Sequence, residues 1–407
     1  MTTRANDRYI VISSDGHCGA QMDEYRDYLE KGYLDDFDEW AKSYSNPWDD
    51  LRGQTAYRNW DSARRLHELE SDGIVAEVLF PNTIPPFFPS GNLLARPPEP
   101  DEYEHRWAGL RAHNRWLADF CAETPGRRAG MAQVFLNNVD DAVTEVRWAK
   151  DHGLFGGILL PGVPPDSGLD PLFAATYDPL WAVCEELDMP VNNHSGAAGP
   201  EPGEHLASMA VFMVELSWFS HRVFWHMAFG GAFAKFPALK LVLTEQAAGW
   251  IPQTLKMLDH QYSRFKEPGT PQSHFGGALA EAVTEPPSYY WQRNCFAGAS
   301  FFRPSEAMIR SDIGVNKIMW GSDYPHTEGT YPYSTEALRN TFASIHPDEV
   351  APMVGLNAAH VYGFDLDLLT PVAAKVGPSV DEVRVPLSVV PADSLSIAFD
   401  GEELKPW

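Results

Sequence analysis

An aspartate and a histidine stand two residues apart in Asp15-Gly16-His17, directly after a short apolar run. Three more polar clusters follow apolar runs in the same way: Asn192-Asn193-His194-Ser195-Gly196, Thr244-Glu245-Gln246 and Gly321-Ser322-Asp323-Tyr324-Pro325-His326. Carboxylate oxygens and imidazole nitrogens are hard-to-intermediate ligands, suited to Zn, Mn or Fe and unsuited to a soft thiolate metal. Asp15, His17, His194, Glu245 and Asp323 are therefore candidate ligands of a divalent metal, one ion or two per chain. Each alone also reads as an ordinary strand-end residue bonded to loop backbone. Five in matching positions argue for one site, because five buried ionisable groups without partners are strongly unfavourable. An ion held there lowers the pKa of bound water toward ~7 and polarises a carbonyl or carboxylate, with Glu245 or Asp323 taking the proton.

These clusters need elements that bring them together. Eight short, largely apolar runs, at residues 9–14, 74–80, 130–136, 157–160, 189–192, 239–244, 295–299 and 317–320, read as buried parallel strands. Helical patterns occupy residues 62–71, 102–123, 139–152, 178–187, 207–229, 250–265 and 305–313. Alternating strand and helix, with no Gly-x-Gly-x-x-Gly after the first strand, favours an α/β fold of the (β/α)8 TIM-barrel type over a doubly wound sheet. In such a barrel reactive residues sit at the C-terminal strand ends, where all four clusters fall. Period-two geometry aims Asp15 and His17 to one side. The expected division is a barrel over residues 1–364, with insertions 21–61 and 81–100 over its mouth. Residues 365–407 are an irregular arm packed on the barrel or on a partner subunit.

The chain has 407 residues and carries 31 Lys and Arg against 56 Asp and Glu, a net charge of −25, which makes nucleic acid and anionic membranes poor partners. Cys18, Cys121, Cys184 and Cys295 are far apart and form no CxxC pair, so neither a zinc knuckle nor a disulfide framework is indicated. No apolar run reaches spanning length, and the N-terminal residues lack the pattern of a cleaved signal. The expectation is a cytoplasmic protein acting on a small molecule, as a homodimer or paired with a related subunit.

SSDGH at the first strand, NNHSG at the fifth, FGGAFAKFPALKLVLTE leading into the sixth and IMWGSDYPHTEGTYP at the eighth together carry a resemblance. The chain resembles the amidohydrolase-related proteins, the branch of the amidohydrolase superfamily containing aminocarboxymuconate-semialdehyde decarboxylase. That resemblance implies a metal-dependent hydrolase or decarboxylase acting on a small carboxylated or cyclic substrate. By position, Asp15 and His17 match the family's first-strand pair, His194 its fifth-strand ligand, Glu245 the sixth-strand position and Asp323 the eighth-strand aspartate. Asp15 replaces a His of the family pattern, one hard ligand for another. Glu245 replaces a His that resembles a general acid/base in the mononuclear decarboxylases. The fourth strand, GGILLPG, lacks the bridging Lys or Glu of two-metal members, which leaves Glu245, Asp323 or solvent as the bridge for any second ion.

An oxidative alternative stands beside this reading. Mixed carboxylate and His ligation also suits a dinuclear Fe or Mn/Fe centre that activates oxygen for hydroxylation, a monooxygenase on the same barrel. His326 is either a further ligand or a residue that holds Asp323 or a substrate carboxylate. His226, in a helical stretch, reads as a helix-packing histidine within reach of the mouth. Ser195 supports His194 or bonds substrate, Trp250 lies near Glu245, and Arg58, Arg64 or Arg303 is available for a carboxylate. Trp40, Trp48, Tyr57, Trp60, Phe87 and Phe88 supply an aromatic lid from the two insertions.

Overall fold

A computed structural model describes residues 7–82, 84–89, 96–196, 198–200 and 203–400. Among the described residues nine parallel strands form the centre: β1 (Ile12–Cys18), β2 (Ala76–Pro81), β3 (Arg128–Gly130), β4 (Ala132–Gln133), β5 (Ile158–Leu159), β6 (Val191–His194), β7 (Leu241–Thr244), β8 (Cys295–Ser300) and β9 (Ile318–Gly321). They pair in sequence order, β1 to β3 in one sheet and β4 to β9 in the other. β3 and β4 are one stave interrupted at Met131, whose amide still donates to Leu79 O at 3.4 Å. The ring therefore has eight staves, one for each apolar run. At the β1/β9 seam Asp323 N donates to Asp15 O (2.9 Å) and His17 N to Tyr324 O (2.7 Å), beside a parallel Gly16–Tyr324 bridge. This is an α/β barrel of the TIM type.

Between the strands the expected helices appear, because their apolar spacing and caps agree. Ser62–Ser71 starts on Asp61, whose side chain accepts from Arg64 N, and Val139–Asp151 starts on Asn138, which accepts from Asp140 N and Asp141 N. The expected helix over 305–313 is two short ones, Pro304–Met308 and Arg310–Ile313. Residues after 364 are more regular than their Pro- and Val-rich composition suggests. Leu366–Val376 is a helix whose buried Leu369 and Ala373 join Ile12, Val78, Met131, Val242, Phe296 and Met319 in one apolar cluster. That cluster fills the barrel beneath the strand ends and gives the mouth a rigid floor. Of the insertion at 81–100, residues 83 and 90–95 lie outside the described residues, as do residues 401–407 of the arm. Among the described residues no helix is long and apolar enough to cross a membrane.

Candidate metal centre

β1 supplies two of the five groups. Its three steps from Ser13 to Gly16 face only two on β2, Glu77 to Leu79, so β1 carries an extra residue where Asp15 sits. A bulge of this kind bends a strand and re-aims its side chains. Ser13 Oγ holds the turn by donating to Asp15 O at 2.6 Å, and it lies 2.9 Å from Ser322 Oγ across the seam. β9 can pass this close only through glycine: a Cβ on Gly321 would stand 2.6 Å from Asp15 Cβ. Arg65, fully buried, donates to His17 O at 2.6 Å and pairs with Glu77, which fixes the far end of the same segment.

The side chains meet in a continuous series. His17 Nε2 lies 3.1 Å from Asp323 Oδ1 and 3.3 Å from Asp15 Oδ1. His194 Nε2 lies 3.6 Å from Asp15 Oδ1 and 3.0 Å from Glu245 Oε2. Bonds of ~2.1 Å to one ion separate neighbouring ligand atoms by roughly 3.0–3.4 Å, octahedral to tetrahedral. The observed contacts have the spacing of a coordination polyhedron. They do not serve as hydrogen bonds: Asp15 Oδ1, the Nε2 atoms of His17 and His194, and both Asp323 carboxylate oxygens are buried with no hydrogen-bond partner. Buried polar atoms are ordinarily paired. One donor atom each of Asp15, His17, His194 and Glu245 lies within 4.8 Å of the others, and one each of His17, Asp323 and His326 forms a second such set, so the residues present fit a divalent cation.

Orientation of the donors is set by neighbouring groups. His194 Nδ1 lies 3.2 Å from Ser195 O, which can only accept, so Nδ1 carries the hydrogen and Nε2 offers its lone pair. Ser195 Oγ donates to Glu245 Oε2 at 2.9 Å. Ser300 Oγ, at the end of β8, donates to the second Asp15 oxygen. Glu245 (φ 55°) and Asp323 (φ 57°) both adopt the left-handed region. That conformation is uncommon without glycine and gathers at functional sites.

The electrostatics follow from packing three carboxylates together. Burial opposes the charge of Asp15, but the His17 and His194 imidazoles outweigh it and hold this carboxyl below the usual carboxylate range. Burial likewise opposes protonation of both histidines. Asp15 beside His17, and Glu245 beside His194, nevertheless raise them. Burial pushes Asp323 well up, helped by the charges of Asp15 and Glu245, and burial pushes Glu245 up against the pull of His194. Excess negative charge in a buried space is the condition that a divalent cation relieves.

His326 stands just outside this series. One donor atom each of His17, Asp323 and His326 lies within 4.8 Å of the others. Among the described residues, however, the only carboxylate within 4.0 Å of His326 is Asp50. The Phe80 ring, centred 4.8 Å from the His194 ring and 5.8 Å from that of His17, adds an aromatic wall.

Three expected neighbours are not brought to the cluster. Trp250 is buried behind the strand end, stacked on His221 at 3.7 Å, and its indole N–H donates to Ala247 O rather than to Glu245. His226 lies 3.4 Å from Arg222 Nη2 and packs on Phe173, on the outer side of the wall where Asn193 points. Alternation along β6 places Asn193 and His194 on opposite faces, which separates that cavity from the mouth. Arg303 caps the helix Pro304–Met308 and pairs with Glu306. Arg58 and Arg64, the other expected carboxylate binders, both pair with Glu68 at 2.8 Å. Asp50, Ser300, Phe80 and Arg65 were not legible as site residues. Ser300 and Phe80 sit at strand ends, where position was a usable signal; Asp50 lies in an aperiodic insertion and offered none.

The fold and the cluster define a class: an α/β barrel with a carboxylate and imidazole centre at its mouth. The Amidohydrolase family model matches residues 59–364, three quarters of the chain, and the chain belongs to that family. A curated relative, the gamma-resorcylate decarboxylase of Polaromonas sp., is 26% identical over 226 residues. The alignment covers 53% of this chain and 65% of the relative, just under two thirds of its length. Among solved structures, 5-carboxyvanillate decarboxylase from Sphingomonas paucimobilis superposes with a TM-score of 0.63 at 18% identity, over 87% of this chain and 99% of the other. Dihydroxybenzoic acid decarboxylase from Polaromonas sp., solved with bound manganese and an inhibitor, gives 0.59 at 18% identity, over 87% and 96%. At these identities the two structures bear on the fold.

Proposed function

We propose that the protein is a metal-dependent decarboxylase of small aromatic carboxylates. The observation that carries this reading is the donor series Asp323, His17, Asp15, His194 and Glu245 at the barrel mouth, in which Asp15 Oδ1, the Nε2 atoms of both histidines and both Asp323 oxygens are buried without a hydrogen-bond partner. The activity of the curated relative favours decarboxylation over hydrolysis. A divalent ion such as Mn or Zn supplies a Lewis acid there that draws electron density from the substrate. Decarboxylation breaks the bond between the ring carbon and the carboxylate carbon. Carbon dioxide leaves, the electron pair stays on the ring carbon, and that carbon takes a proton. Glu245 is the group placed to carry it, because its side chain is 24% exposed whereas that of Asp323 is 2%.

The test is elemental analysis of protein purified without a chelating column, followed by carbon dioxide release from a panel of hydroxylated benzoates. Near-stoichiometric Mn or Zn and release from at least one member are expected. A protein that binds neither ion, or that releases nothing from any carboxylate offered, overturns the proposal.

We further propose that the protein self-associates in a reducing compartment such as the cytoplasm. All four cysteines are free and buried, which suits such a setting. Helix Ser208–Phe229 is apolar around most of its circumference, yet Met209, Met213, Val214 and Trp218 are exposed in the single chain. Such a face ordinarily finds cover. Light scattering should give the mass of two or more chains, and a monomer at micromolar concentration rejects this.

A further inference from the structure

Asp50 belongs to the insertion ahead of β2, whereas His326 follows β9, yet His326 Nδ1 lies 3.1 Å from Asp50 Oδ2. The same oxygen accepts the Thr327 amide at 3.2 Å, so the carboxylate is fixed from two directions. Burial alone would raise the Asp50 carboxyl, but the His326 contact prevails and holds it below the usual range. An ionised carboxylate only accepts, so Nδ1 of His326 carries the hydrogen and Nε2 keeps a lone pair. The ring has little freedom to turn. Trp48 packs on it at 4.7 Å between centroids and is itself held by a 2.8 Å bond from its indole N–H to Asn82 O. His17 meets it edge-on at 5.0 Å and 74°. Nδ1 being engaged with Asp50, Nε2 is the atom left for the group that it forms with His17 and Asp323.

We infer that Asp50 is a positioning residue, which sets the tautomer and orientation of His326 so that Nε2 presents a lone pair to the substrate beside Asp323. This rests on the decarboxylase reading above. His326 makes none of the 3.0–3.6 Å contacts that join the five donors; it stands beside them, with one donor atom within 4.8 Å of His17 and Asp323, where a substrate held at the centre would meet it. A lone pair in that place accepts from a hydroxyl or N–H of the substrate and repels a carboxylate oxygen. The substrate then has one orientation, its carboxylate toward the cation and its donor toward His326. The insertion thus contributes to the site through one carboxylate and one indole.

A simple staple between the insertion and the barrel would leave turnover alone. In the zinc-loaded full chain, Asp50→Ala should lower kcat by ~10–100-fold, the usual effect of losing a carboxylate behind a working histidine, with KM and metal content nearly unchanged. Asp50→Asn keeps an acceptor for Nδ1–H and should restore most of the loss. Asp50→Ala added to His326→Ala should cost nothing beyond His326→Ala alone. The ring nitrogens of 15N-histidine-labelled, zinc-loaded protein give a readout independent of turnover: His326 should be protonated at Nδ1 in the wild type and mixed in Asp50→Ala. Should no carboxylate be turned over, or should Asp50→Ala fail to fold, the wild-type spectrum still decides. Protonation at Nε2 alone in the wild type, or full kcat in folded Asp50→Ala, overturns the inference.

Discussion

Metal-free Asp323→Asn protein is expected to melt above the metal-free wild type at pH 8 and to lose the rise in melting temperature that manganese gives the wild type. Asp323 is 1% exposed, and neither carboxylate oxygen has a hydrogen-bond partner. Burial, with Asp15 and Glu245 nearby, pushes its carboxyl well above its ordinary range. The sign follows from linkage. A folded state that holds a proton the unfolded chain has released loses stability as pH climbs from the unfolded carboxyl's value near 4 toward the folded one. The wild type therefore pays for an ionised or desolvated carboxyl at pH 8 that asparagine lacks, and the two melting curves should converge toward pH 4. An unpaired buried polar group is worth ~1–3 kcal/mol, more when charged, so a difference of several degrees is expected. Asparagine also tolerates the left-handed backbone at this position better than alanine. Metal reverses the order. At a hundredfold excess over Kd an ion adds ~2.7 kcal/mol to the wild type, and a variant lacking a ligand gains little. Calorimetry with and without manganese at pH 5 and pH 8 measures each part. Elemental analysis of Asp323→Ala should find almost no bound ion. A stoichiometric ion in that variant, or a metal-free Asp323→Asn that melts below the wild type, removes Asp323 from the ligand set.

The stave arrangement was readable because a buried parallel strand leaves a short apolar run, and all eight runs meet a strand. Their limits moved for local reasons. β1 begins at Ile12 rather than residue 9 and continues through Asp15-Gly16-His17, because backbone bonds to Asp323 and Tyr324 extend it past the point where apolarity stops. The run at 130–136 shows as two strand pieces because pairing breaks at Met131. Convergence of Asp15, His17, His194, Glu245 and Asp323 was likewise anticipated, since strand ends of one barrel share one mouth. What the sequence did not carry is any link whose two ends lie far apart without periodic spacing. Asp50 and His326 are 276 residues apart, and nothing in Asp49-Asp50 distinguishes one carboxylate from the other before folding. Trp250 misled for the opposite reason. Five residues past Glu245 along the chain, it stands at the N-cap of the helix Ile251–Lys266 and turns its ring back onto His221.

Glu245→Gln is expected to keep the metal and to lower turnover by ~10²–10⁴, the usual contribution of a positioned acid or base. Glutamine preserves length and leaves an oxygen to accept from Ser195 Oγ, which now donates to Oε2 at 2.9 Å. Backbone placement should survive too, because Glu245 N donates to Gly298 O at 3.0 Å regardless of the side chain. What disappears is the ability to take and return a proton. Among the three carboxylates of the series this one is best placed for proton transfer, because it sits at the open end, beside His194 and away from the Asp15–Asp323 seam. It also stands where the family resemblance leads one to expect a histidine. The paired measurement is metal content against kcat on a substrate that the wild type decarboxylates. A fall from two ions toward one per chain would make Glu245 a bridging ligand and the centre dinuclear. Unchanged metal with unchanged kcat would leave Glu245 a structural carboxylate held by Ser195, and the proton would then have to come from Asp323, the remaining carboxylate whose ordinary range burial has raised.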